Sequence, residues 1–216
     1  MKLKGAIFDL DGTLLDSMGM WYTIGDEYLM ARGCTPEPGL WEKLKTLSML
    51  QTAVYFKEEY GLQDCEEEVI SQVNAMIEYK YAREVQFKPS ALDFIKKLDR
   101  LGIKMCVATA TDRHLVEAAL KRLGSMEYFC GILTCTEVGC GKDRPLIYER
   151  ALELLNTKKE ETIVFEDALH AVETAKKAGF LVAGIQEAGA EEDREQIKRT
   201  ADWYLTSFDE LELNRL

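Results

Sequence analysis

Short apolar runs alternate with amphipathic helical segments along most of this chain, and that alternation is the strongest constraint on its fold. Strands are expected at Leu3–Phe8, Ile103–Ala108, Gly131–Cys135, Thr162–Phe165, Phe180–Ile185 and Asp202–Leu205. Between them apolar residues recur every three or four positions, the mark of a helix with one buried face. Phe94, Ile95, Leu98 and Leu101 form one such face; Leu115, Val116, Ala119, Leu120 and Leu123 form another. Further helices are expected at Leu146–Leu155, Ala168–Ala178 and Glu191–Arg199. Gly102, Gly124 and Gly179 stand just past helix ends, and Asp112 is placed to cap a helix start. Strands and helices repeating at this spacing imply right-handed crossovers and a mainly parallel sheet in a three-layer, Rossmann-like α/β core.

One stretch breaks the alternation. From Asp16 to Val85 the pattern is helical throughout, with helices expected at Met18–Arg32, Leu40–Lys45, Met49–Tyr60 and Glu66–Arg83. Pro36, Pro38 and Gly39 separate the first two, and Gly61 closes the third. The expected division is a core of residues 1–15 and 86–216 interrupted by an all-helical insert, residues 16–85. At roughly 70 residues the insert has the size of a small domain.

Composition excludes several partners. The 38 acidic and 27 basic side chains give a net charge of −11, a surface that repels nucleic acid and anionic lipid. No apolar stretch approaches the ~20 residues needed to span a bilayer. The opening Met1-Lys2-Leu3-Lys4 runs straight into strand pattern without a hydrophobic leader, which points to the cytoplasm. The six cysteines are then expected as reduced thiols, with Cys106 and Cys130 in apolar runs typical of core. Cys130, Cys135 and Cys140 recur every five residues, but no C-x-x-C pair or nearby histidine supports a metal site there.

A parallel sheet gathers its strand ends at one rim, where open α/β sheets bind ligands. The first strand delivers Asp9-Leu10-Asp11-Gly12-Thr13 to that rim. Residues i and i+2 of an extended segment share a side, so Asp9 and Asp11 converge on one pocket and invite a cation or a shared proton. The second strand delivers Thr109-Ala110-Thr111, the loop after the third Cys140-Gly141-Lys142, and the fourth strand Glu166-Asp167. Carboxylates for a metal, hydroxyl and amide donors for an anion, and one ammonium are the parts of a phosphoryl-transfer site.

With these four motifs in order, the chain resembles the haloacid dehalogenase superfamily, specifically its phosphatase branch with a helical cap inserted after the first motif. The resemblance runs from Lys4 to about Leu211 and is nearest to β-phosphoglucomutase-like members. It implies a magnesium-dependent enzyme acting on a small phosphorylated metabolite, commonly as a monomer, under a cap that closes over the substrate. It further implies Asp9 as the nucleophile that forms an aspartyl-phosphate and Asp11 as the general acid/base. Thr109, Ala110 and Lys142 would hold the phosphoryl group. Asp9, Asp167 and the carbonyl of Asp11 would hold Mg²⁺, with Glu166 in support. The second Asp favours phosphate-ester cleavage over dehalogenation, because a halide leaving group needs no proton.

The chain also departs from the pattern. Asp143-Arg144-Pro145-Leu146 replaces the usual Pro-x-Pro-Asp run, and Ala168 and Ala171 stand where Ser and Gly are commoner. Trp21, and Thr46 with Met49, fall where mutases carry a cap histidine and a Gly/Arg pair. Their loss points to hydrolysis, with a sugar-phosphate mutase as the alternative and a catalytically silent phospho-ligand binder behind it. Simpler roles stand beside these. Thr111 can serve as a helix-capping residue, Glu166-Asp167 as an ordinary acidic helix start, and His114 and His170 as surface residues.

Overall fold

The computed structural model describes residues 3–45 and 47–211. Six strands form one sheet: β1 (Gly5–Phe8), β2 (Lys104–Thr109), β3 (Phe129–Thr134), β4 (Thr162–Glu166), β5 (Leu181–Ile185) and β6 (Trp203–Leu205). Their order is β3-β2-β1-β4-β5-β6, and every neighbouring pair is parallel. The chain therefore builds outward from β1 to β3, then crosses back and builds the other way from β4 to β6. The reversal lies between β1 and β4, the kind of switch point at which doubly wound sheets open a ligand crevice. Register puts Phe8 opposite both Val107 and Phe165, so the residues that follow these strands emerge side by side.

Alternating side chains of the central strands feed two different layers. Phe8 stacks on Phe165 at 4.5 Å, and Phe94 of α5 (Ala91–Arg100) meets both rings edge-on. On the opposite face Ile7, Cys106 and Val164 pack under Ile147, Tyr148, Ala151 and Leu155 of α8 (Leu146–Leu155), all fully buried. Each such large apolar side chain contributes about 1.5–3 kcal/mol on burial. The remaining core helices are α6 (Arg113–Arg122), the one-turn α7 (Cys135–Val138), α9 (Leu169–Lys177) and α10 (Arg194–Thr200). Gly5 is required by close approach: a Cβ there would lie 2.8 Å from Thr162 Oγ1 and 2.9 Å from Thr157 Oγ1.

Several bounds differ from the sequence reading: β3 runs Phe129–Thr134 rather than Gly131–Cys135, with Cys135 opening α7, and three further differences have a clear physical cause. Strand β1 starts at Gly5 rather than Leu3, because its partners β2 and β4 begin opposite Gly5. Cys130 is exposed rather than in the core: β3 is the sheet's edge, and its register against β2 shifts between Phe129 and Ile132. The last helix begins at Arg194, not Glu191, because Glu191 follows a 3₁₀ turn over Ala188–Ala190.

Residue contacts divide the chain into two compact units, Met1–Asp16 with Val85–Leu216, and Ser17–Glu84. The second unit holds α1 (Met18–Met30), α2 (Leu40–Leu44), α3 (Met49–Tyr60) and α4 (Glu66–Arg83). A capping box between Ser48 and Gln51 starts α3. Val69, Val73, Ile77 and Tyr81 are the buried stripe of α4, and Tyr28 stacks on Phe56 at 5.6 Å. Trp21 donates its indole N–H to the Tyr81 hydroxyl at 3.1 Å. Trp21 and Met49 both line a cavity of about 210 Å³ inside this unit; Thr46 lies outside the described residues. Where the first unit is interrupted, its two cut ends pair with each other. The N–H of Asp16 reaches the carbonyl of Gln86 at 2.9 Å, and that of Lys88 reaches Leu14 at 2.8 Å. No helix among the described residues is long and apolar enough to cross a membrane.

Candidate active site

Beyond β1 the backbone turns sharply at Gly12, whose φ of 79° is one that other residues rarely adopt. The N–H groups of Leu14 and Leu15 both return to the carbonyl of Leu10, and the Asp9 N–H is held by the carbonyl of Phe165 at 3.0 Å. This turn presents Asp9 and lets Thr13 donate its hydroxyl to Asp167 Oδ1 at 2.9 Å. β4 ends in Glu166 and is followed at once by Asp167. One carboxylate oxygen from each of Asp9, Glu166 and Asp167 lies within 4.8 Å of the other two, and all three residues are buried.

Three carboxylates so close are tolerable only with a cation or a proton among them. Lys142, itself 7% exposed, supplies a cation: its ammonium bonds Asp9 Oδ1 and, at 2.6 Å, Glu166 Oε1. Burial alone would lower the Lys142 pKa, but Asp9 and Glu166 more than offset it and hold it above the usual value. Burial pushes Glu166 up to about 8, with Lys142 pulling against the repulsion of Asp9 and Asp167. Burial and the Asp9 charge push Asp167 up to about 7, opposed by the Thr13 bond, Lys142 and Lys88. Lys88 is itself salt-bridged to Glu187 at 2.6 Å.

The donor set fits a divalent cation. Hard carboxylate oxygens from three residues outnumber the single ammonium, and such oxygens suit Mg²⁺. Lys142 takes one oxygen each of Asp9 and Glu166, and Thr13 takes one oxygen of Asp167.

The side chain of Asp11 stands apart from this cluster. Its Oδ2 accepts the Thr111 hydroxyl at 2.5 Å, so Thr111 does more than start a helix. Thr109 is buried at the end of β2, and its Oγ1 accepts the Thr111 N–H at 3.1 Å. Ala110 is exposed between them. The third-motif loop is shaped by α7, whose capping box joins Thr134 and Glu137. That signal was present in the sequence as Thr134-Cys135-Thr136-Glu137. Tyr148, which sequence reasoning passed over as one more apolar-helix residue, donates its hydroxyl to Glu166 Oε1 at 2.8 Å. His114 and His170 are exposed, as expected.

Fold and site together define a Rossmann-like α/β protein with a buried, lysine-bridged carboxylate centre at the carboxyl rim of its sheet. Residues 3–179 match the family described as haloacid dehalogenase-like hydrolase. The chain belongs to that family and is an enzyme of the hydrolase class. It is 25% identical over 178 residues to a phosphorylated carbohydrates phosphatase of Thermotoga maritima, covering 82% of each chain. It is also 25% identical over 192 residues to the pyrophosphatase PpaX of Anoxybacillus flavithermus, covering 86% of this chain and 84% of that one. A solved structure from Thermotoga maritima, provisionally named a β-phosphoglucomutase, matches with a TM-score of 0.86 at 23% identity. It covers 99% of this chain and 98% of its own, and shares the fold.

Proposed function

We propose that the chain is a Mg²⁺-dependent phosphomonoesterase for a small phosphorylated metabolite, working through an aspartyl-phosphate on Asp9. The observation that carries this reading is the pairing of two unlike aspartates. Asp9 is buried and bonded to Lys142, while Asp11 is held by Thr111 outside the carboxylate cluster. Pairs of carboxyl groups in unlike surroundings divide nucleophilic and proton-transfer work. The phosphatase relative gives the substrate class its plainest support.

In the first step an oxygen of Asp9 attacks phosphorus, the ester P–O bond breaks, and the departing alkoxide takes a proton from Asp11. In the second, the Asp11 carboxylate takes a proton from water, whose oxygen attacks the same phosphorus. The bond to Asp9 breaks and inorganic phosphate leaves. Lys142 orients Asp9 and offsets charge on the phosphoryl oxygens, with the Thr109 hydroxyl and the Ala110 N–H as further donors. Asp9, Asp167 and the Asp11 carbonyl, with Glu166 in support, would hold Mg²⁺, which would supply further neutralisation of that charge. The helical unit, residues 17–84, is assigned substrate choice. Trp21 and Met49, at the positions aligned with mutase contacts, carry no basic group, and Trp21 is engaged with Tyr81. Water, rather than a second hydroxyl of a sugar, is therefore the acceptor.

Phosphate release from sugar phosphates, nucleotides and p-nitrophenyl phosphate, with and without Mg²⁺, tests this. Metal-dependent release by the wild type that disappears in Asp9→Asn is expected. Release from no compound, or unchanged release by Asp9→Asn, would overturn it.

A further inference from the structure

Tyr148 is fully buried in the layer under α8, among Ile7, Cys106, Ala151, Val164 and Phe180. Its ring meets Phe180 at 5.9 Å, edge-on, and a phenylalanine would fill that space equally well. A hydroxyl taken into such surroundings is costly unless it is used. Here it ends on Glu166 Oε1 at 2.8 Å, the same oxygen that accepts Lys142 Nζ at 2.6 Å.

We infer that Tyr148 is a positioning residue: its hydroxyl sets the Glu166 carboxylate so that Lys142 is aimed at Asp9. The inference rests on the phosphatase reading only for its kinetic consequence. Lysine reaches its target through a flexible four-carbon stem, and its ammonium stands wherever its acceptors stand. Glu166 is one of the two acceptors and Asp9 the other. Glu166 is flexible too, so an ammonium and a carboxylate alone could pair in several arrangements. Tyr148 removes that freedom. Its ring is locked by core packing on α8, and its two torsions leave the hydroxyl one place to point. Glu166, 1% exposed, is thus gripped from the core side by a rigid donor and from the cleft side by the mobile one. The helix that carries Tyr148 has its N-cap at Pro145, three residues beyond Lys142, so loop and helix close a short circuit on one oxygen. Outer partners of this kind typically change activity or metal affinity by about 10–100-fold when removed.

The test compares wild type, Tyr148→Phe, Glu166→Gln and the double variant on p-nitrophenyl phosphate with Mg²⁺, alongside thermal unfolding. Tyr148→Phe is expected to lower kcat about tenfold while KM stays within about twofold. In the Glu166→Gln background the same change should add little, because residues acting through one another are non-additive. Ile147→Val, a core change on the same helix, should lower Tm without that kcat loss. A kcat within about twofold of wild type, or a full additional loss in the double variant, overturns the inference. Crystal structures of wild type and Tyr148→Phe decide it without catalysis. Lys142 should leave hydrogen-bonding distance of Asp9 in the variant, and an unmoved Lys142 refutes the role. If the wild type hydrolyses no phosphate ester, the phosphatase reading fails and the crystallographic comparison stands alone.

Discussion

Replacing Lys142 by methionine keeps most of the side-chain volume and deletes the only ammonium bonded to the carboxylate cluster among the described residues. Asp9, Glu166 and Asp167 would then face one another within 4.8 Å, all buried. Removing one partner of a buried charge pair costs about 3–5 kcal/mol, since the remaining charge is left uncompensated. For a chain of this size each kcal/mol moves Tm by about 2–4 °C, so the metal-free variant should unfold roughly 6–20 °C below wild type at pH 8. The loss must depend on pH. Glu166 and Asp167 have native pKa values, about 8 and about 7, above their ordinary ones of 4.5 and 3.8. A group raised in the native state gives its full stability below its unfolded pKa and loses it as pH rises through the folded one. Without Lys142 both values rise further, so the carboxyl groups keep their protons at pH 5.5 and the deficit shrinks there. Calorimetric scans in EDTA at pH 5.5 and pH 8 measure both numbers. A deficit below about 2 °C at pH 8, or an equal deficit at both values, would refute the electrostatic account.

Three other outcomes are expected. Asp167→Asn should weaken Mg²⁺ binding, followed as the metal-induced rise in Tm, by at least about tenfold, because one hard charged ligand is lost. In the wild type that same Mg²⁺ affinity, measured by isothermal titration calorimetry, should fall as pH drops below about 7, where Asp167 takes up a proton that the metal must displace. Thr111→Val should lower kcat for p-nitrophenyl phosphate about tenfold with Tm nearly unchanged, since it removes the Thr111–Asp11 bond without opening the core. An unaltered kcat would mean that the Thr111–Asp11 bond is incidental.

Much of the fold was legible because apolar periodicity and glycine stops report local geometry directly. The helices at Met49–Tyr60, Glu66–Arg83 and Leu146–Leu155 have the ends expected of them. Strand ends were less legible, because a strand begins where its neighbours offer hydrogen bonds, as at Gly5, rather than where apolar residues begin. Cys130 shows the same limit: nothing in its own neighbourhood marks β3 as an edge strand with shifted register. At the site, Asp9, Glu166, Asp167 and Lys142 could be gathered from strand ends alone, since parallel topology brings those ends together. The roles of Thr111, itself at a strand end, and of Tyr148 could not be read this way. Each acts on a residue far away in sequence, and each has an adequate local explanation, as a helix start or as core.

The pairing of Asp16 with Gln86 and of Leu14 with Lys88 has a consequence for how this chain tolerates rearrangement. The two places where the sheet unit is cut stand one hydrogen bond apart, so a hairpin turn is long enough to join them. Residues 17–84 can accordingly be excised, or replaced by a foreign module with adjacent termini, at little entropic cost to the remainder. The break in the sheet unit is thus a place where one inserted segment is expected to stand in for another while the six strands keep their pairing.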